Sequence, residues 1–324
     1  MRMFSKSSQD RPAIGVSSDY TLLFSVHRLL SVVNKERPQR RSFLLSRNAL
    51  SPPRTETIRP AKGAEEVRAK SKTVRILSLD AEPFHHIPYL MVVDRGQQRR
   101  TTLPVYRGRV DSLPEALQAV VCTSDLQGRE SVGGRLLGHT VAEELCRALP
   151  APEKIGVVLA GDLYVPPELD ERGGFGDVVE VWRAFQERFR WVTGVLGNHD
   201  DWLSPDISYL DGKTVEFDGL QIAGLSGITG RPGKVRRRQA SDYCRELRRL
   251  FQSQPDLVAI HPSPELPKLA LTGSPEINKA LQKVPESLLV CGHRHWRWSS
   301  PLPPTLGRLQ LLNVEARVVV LSAQ

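Results

Sequence analysis

Long apolar runs are missing from this sequence. None approaches the roughly 20 residues that cross a bilayer as a helix, so no membrane anchor is expected, and no secretory signal is visible at the start. Cysteine is scarce. The four present, Cys122, Cys146, Cys244 and Cys291, form no close pair and no metal-type spacing. That excludes a disulfide scaffold and fits free thiols in a reducing compartment. Internal repeats are absent, which excludes solenoids and propellers. Most of the chain also lacks excess charge. Residues 1–72 hold 15 Lys+Arg against 6 Asp+Glu, the whole of the formal +9, while residues 73–324 hold 30 of each. General electrostatics therefore gives the globular part no reason to hold nucleic acid.

A chain of 324 residues is long enough for one large α/β domain with a sizeable core. Its first 72 residues read as a separate basic arm. They are rich in Ser and Arg with scattered Pro, and only residues 20–33 have the apolar content of a helix. The rest of the arm is expected to be disordered. The same composition fits an organellar transit peptide, a nucleic-acid-binding arm, or a leader of no consequence on a cytoplasmic protein. Residues 73–118 are expected to form an N-terminal elaboration with extra strands at 73–79, 89–93 and 101–110. The main domain then covers 119–324, where strands at 119–123, 155–160, 191–195, 257–260 and 288–291 alternate with helices at 136–149, 178–189 and 241–251. Residues 214–217 and 220–225 read as a hairpin around Asp218-Gly219, and residues 309–321 as one or two strands.

The chemistry lies in the turns at the exits of the buried strands. After 119–123 comes Ser124-Asp125-Leu126-Gln127-Gly128. After 155–160 comes Gly161-Asp162. After 191–195 comes Gly197-Asn198-His199-Asp200. His261-Pro262 comes after 257–260, and Gly292-His293-Arg294-His295 after 288–291. Singly, each is an ordinary strand exit: an N-cap, a turn residue, a packed histidine. Together they place Asp, Gln, Asn and His at one end of successive strands, where α/β sheets hold their ligands.

In these blocks the chain resembles the calcineurin-like metallophosphoesterases, whose pattern is Asp-x-His, Gly-Asp, Gly-Asn-His-Asp/Glu, His and Gly-His-x-His. The resemblance covers about residues 119–320. It implies an α/β fold, a four-layer α/β/β/α sandwich of two mixed β-sheets. It also implies two divalent metal ions. Asp125, Gln127 and His295 would hold the first, and Asn198, His261 and His293 the second, with Asp162 bridging them. His199 would assist the leaving group or stabilise the transition state, with Asp200 orienting its ring. The implied activity is hydrolysis of a phosphodiester or phosphomonoester by a metal-bridging hydroxide. Ions about 3.5–4 Å apart suit that chemistry.

Gln127 departs from the family, which has histidine there. Its amide oxygen reaches as far as the outer ring nitrogen of a histidine and is likewise neutral. It is a harder donor, so the first site is expected to favour Mn, Fe or Mg over Zn. A degraded, metal-poor site is the opposing reading, with the domain acting as a pseudoenzyme that serves as a binding or scaffold module.

The block after Asp162 lacks the longer acidic signature of phosphoprotein phosphatases, so the phosphodiesterase, nucleotidase and nuclease branches are favoured. Substrate choice is expected from the Pro- and Gly-rich stretch 164–177. Trp202 and Trp296 flank ligand blocks and are candidates for stacking on a base or sugar. Arg236, Arg237 and Arg238, with Arg245, Arg248 and Arg249, form a basic patch. That patch, or the arm, is what a nuclease would use.

Overall fold

The computed structural model describes residues 74–323, apart from 94, 95, 172, 202, 203, 205, 298 and 299. The basic arm, its expected helix and Trp202 lie outside the described residues. The first half of the chain runs β1 (Ile76–Leu79), β2 (His85–Val92), β3 (Gln98–Val110), β4 (Ala119–Ser124), α1 (Leu137–Ala148), β5 (Ile155–Ala160), α2 (Val179–Gln186) and β6 (Trp191–Val195). The second half runs β7 (Lys213–Phe217), β8 (Leu220–Leu225), β9 (Ile228–Thr229), β10 (Arg237–Arg238), α3 (Ala240–Leu250), β11 (Leu257–Pro262), α4 (Pro275–Leu281), β12 (Ser287–Gly292), β13 (Thr305–Leu306), β14 (Leu309–Asn313) and β15 (Arg317–Ala323).

The strands build two large mixed sheets in an α/β fold with few helices. The first has the order β1-β3-β15-β4-β5-β6, with β2 beside β3; the second has the order β13-β14-β12-β11-β8-β7. β4, β5 and β6 are mutually parallel, as are β8, β11, β12 and β14. Parallel strands covered on both faces need apolar residues throughout. β4, β5, β6, β11 and β12 are accordingly buried at every position. Their exits align because the strands run the same way.

Three apolar clusters hold the sheets. One joins α1 and α2 to the first sheet, through Leu145, Trp182 and Phe185 against Val121, Val157 and Val318. The second draws Cys122, Val158 and Val319 from the first sheet together with Ile222, Leu288 and Leu312 from the second. The third joins α3 and α4 to the second sheet, through Tyr243, Leu247 and Ile277 against Val258 and Leu289.

Residues 73–118 hold strands, as expected, but those strands complete the first sheet. β3 pairs in parallel with β15 from Val105↔Val318 to Val110↔Ala323. The stretch at 309–321 divides into β14 and β15, which belong to different sheets. The hairpin at Asp218-Gly219 forms with both residues left-handed, at φ 54° and 88°. α4 has no counterpart among the expected helices. It is short, and its start is set by Ser274, whose Oγ accepts from the Ile277 amide, with Pro275 next in the first turn. Among the described residues no helix is long and apolar enough to cross a membrane.

Candidate metal centre

The exits of both sheets meet at one place because glycines let their turns approach closely. A Cβ on Gly197 would lie 2.0 Å from Asp162 Oδ1, and one on Gly292 would lie 2.4 Å from Asp125 Oδ2. No other residue fits at either position. The acidic and imidazole residues beside them also take an uncommon backbone: Asp125, Asp162 and His293 have φ of 55°, 56° and 66°. Such left-handed residues cost energy and gather where side chains must be aimed.

Within this meeting point Asp162, His261 and His293 bring their ligand atoms within 4.8 Å of one another. Asp162 Oδ2 lies 3.0 Å from His261 Nε2 and 3.8 Å from His199 Nε2. The Nδ1–H of His261 donates to the Ala160 carbonyl at 2.8 Å, which leaves Nε2 facing the carboxylate. Asp125 is joined to the second sheet by the amide of His293, which donates to its Oδ2 at 2.9 Å; Ser124 Oγ donates to the same oxygen. Asn198 Oδ1 is buried with no hydrogen-bond partner, and so is the amide nitrogen of Gln127. A half-turn of the Gln127 amide exchanges its oxygen and nitrogen.

Electrostatics in this pocket are those of unneutralised groups out of water. Burial opposes the charge on Asp162, but the imidazoles of His261 and His199 outweigh it and hold its pKa down at about 2. Burial would lower His261, yet the carboxylates of Asp162 and Asp125 push it up to about 10. Burial, opposed by His261 and reinforced by Asp162, raises Asp125 to about 7. Burial and the nearby His261 charge lower His293 to about 4. A proton on His261 thus stands where a divalent cation would bind Asp162 and His261 together. With the bare oxygen of Asn198, this donor set of carboxylates, imidazoles and amides fits such an ion.

A cavity of about 300 Å³ opens over these groups. Asp125, Gln127, Asp162, His199, His293 and Glu315 line it, together with the apolar residues Tyr89, Met91, Val92 and Val165. The stretch 164–177 reaches the site, as expected, and does more than edge it. The Nδ1–H of His199 donates to the Gly174 carbonyl at 2.5 Å. Gly173 (φ 95°) lies under the ring, where a Cβ would stand 2.6 Å from His199 Cε1. His199 Nε2 is therefore turned towards Asp162.

Two expectations change. Asp200 is buried, but it does not orient the His199 ring. Its oxygens accept from the amides of Asp162 and Leu163 at 2.7 Å and of Gly197 at 2.9 Å. A carboxylate filled by three backbone donors fastens the Asp162 turn to the Asn198 turn. His295 is the second. Its ring is 59% exposed, its Nδ1 pairs with Glu315 at 2.6 Å, and it borders a separate groove. Glu315 lines the cavity instead, and its charge is felt by Asp125. Glu315 stands after no strand-exit glycine, so nothing in the motif pattern marks it.

Other candidates resolve into packing. Trp296 is buried and its indole N–H donates to the Thr272 carbonyl. Arg236 donates to the Asp200 carbonyl, and Arg238 pairs with Asp211 and Glu246, so the basic patch is partly turned inward. Burial pushes the thiols of Cys122 and Cys291 up to about 12, which suits inert core residues. In comparisons with known proteins, no family model and no curated protein matches the chain.

Proposed function

We propose that the protein is a metal-dependent phosphoesterase of the calcineurin-like kind, with the four-layer sandwich that this kinship implies. The observation that carries the reading is the convergence of Asp162, His261 and His293 at the joined exits of two sheets. Asn198, His261 and His293 would hold one divalent ion, Asp125 and Gln127 the other, and Asp162 both. When bound, such ions polarise a phosphoryl oxygen and activate water at neutral pH.

The remaining tasks fall to the chain. His199, fixed at Nδ1 by Gly174, presents Nε2 to the cavity, where it can give a proton to a departing ester oxygen. Asp200 keeps the two turns in register, so that the donor atoms do not drift. A phosphodiester is favoured over a phosphoprotein, since the site is a small cavity and the phosphatase signature is missing from the Asp162 block.

The test is metal content with turnover. Purified protein should carry two divalent ions per chain and hydrolyse a generic aryl phosphodiester or monoester with Mn²⁺. Protein that binds no metal and turns over neither ester with Mn²⁺, Co²⁺ or Ni²⁺ contradicts the reading. A metal-poor pseudoenzyme acting as a binding or scaffold module is the second reading, favoured by Gln127 in place of histidine and by the position of His295. It predicts few or no bound ions and no turnover.

A further inference from the structure

We propose that the β2–β3 hairpin is the substrate-selecting wall of the site, and that it seats an apolar, ring-sized ester group beside the phosphate. This rests on the phosphoesterase reading above and adds the class of ester.

The wall exists because β3 is longer than its neighbour. Its second half, from Val105 to Val110, pairs with β15. Its first half, residues 98–104, is paired with β2, and no strand flanks its other side among the described residues. β15 begins at Arg317, opposite Ser124 at the end of β4. The overhanging half of the hairpin therefore projects past the sheet at the end where Asp125 and Gln127 emerge.

The overhang is clamped there. Leu90 exchanges backbone hydrogen bonds with Arg129, at 2.8 and 2.9 Å. Gly128, next to Gln127, lies so close that a Cβ would stand 2.2 Å from Tyr89 Cδ2. Arg129 in turn donates to the carbonyls of Val165, Pro166 and Gly134. The hairpin, the Gln127 turn and the start of the 164–177 loop thus form one rigid rim.

The rim contributes apolar residues to a cavity whose other lining is polar: Tyr89, Met91, Val92 and Val165 line it together with carboxylates, an amide and imidazoles. No Lys or Arg lines it among the described residues. A volume of about 300 Å³ is at the small end for organic ligands. A phosphate held by the polar groups leaves the apolar lining residues to contact one compact hydrophobic group. Met91 is the point of contact best suited to adapt to such a group, being unbranched, polarizable and only half-buried.

The test is equilibrium binding of two non-hydrolysable probes, phenylphosphonate and methylphosphonate, to the Mn²⁺-loaded full chain by calorimetry. Seating one ring should make phenylphosphonate about tenfold to a hundredfold tighter. Met91→Gln should bring the ratio towards one, and Met91→Leu should keep it. Equal affinities in the wild type overturn the proposal, as does a ratio that survives Met91→Gln. Protein that carries two ions and binds neither probe overturns it too. Turnover of a bis-aryl phosphate is read separately. Turnover with equal probe affinities removes the wall and leaves the phosphoesterase reading standing.

Discussion

Nε2 of His261 faces Oδ2 of Asp162 at 3.0 Å, and both side chains are shut away from water. Without an ion, this pair is a salt bridge. His261 is held protonated up to about pH 10, and Asp162 ionised down to about pH 2. A metal ligand must give up that proton. Uptake of Mn²⁺ at pH 7 should therefore release at least one proton from His261, with a further fraction from Asp125 at about 7. Calorimetric titrations in buffers of different ionisation enthalpy measure the number. Uptake without proton release would remove His261 from the ligand set.

The same pair sets a pH dependence of stability in metal-free protein. The folded pKa of His261 is raised above its ordinary 6.5 to about 10. Its contribution is thus fully present below about pH 6.5 and is lost as pH rises towards 10. The denaturation midpoint should fall across that window, and that decline should be absent in His261→Gln.

Gly173→Ala should disable His199 without touching the donor set. The new Cβ needs the space of the ring, at 2.6 Å from Cε1, and the residue would be held at a φ of 95°. Misplacing a catalytic group by about 1 Å costs on the order of a hundredfold in rate. Kinetics and elemental analysis on one preparation should give that loss with unchanged metal content.

Asp200→Asn should act on stability before chemistry. One of its two oxygens becomes an NH₂ that faces backbone donors, so at least one buried amide loses its acceptor. The expected loss is about 1–3 kcal/mol, read from urea denaturation. Unchanged stability with a shifted pH profile for turnover would restore the role of ring orienter.

Gln127→His should keep activity and move metal preference from Mn²⁺ towards Zn²⁺, because imidazole is the softer donor. Activity ratios across the two metals, for both proteins, provide the check. An unchanged ratio would count against Gln127 as a ligand.

The strand exits could be read from the sequence because their signal is local. An apolar run, a glycine and a polar residue announce a buried strand, a close approach and a donor, and Asp162, His261 and His293 do converge. The hidden features act through the backbone or through pairing across the chain. The carbonyl of Gly174 that fixes His199, and the three amides that fill Asp200, leave no trace in residue type. Glu315 reaches the cavity from the gap between β14 and β15, a segment whose apolar pattern reads equally as one strand. β3 completes the first sheet only because β15, more than 200 residues later, lies between it and β4.

Everything proposed for the site turns on Asp162 holding divalent ions that drive phosphoester hydrolysis. The decisive experiment is Mn²⁺-dependent turnover of a bis-aryl phosphate by wild type and Asp162→Asn, with ions per chain counted on the same samples. Two ions and turnover are expected in the wild type. The variant should show a metal affinity reduced beyond the roughly 10–100-fold cost of losing a mere supporting group, and no turnover. Equal turnover in both proteins, or a wild type that binds no metal, would be incompatible with a catalytic metal centre at Asp162.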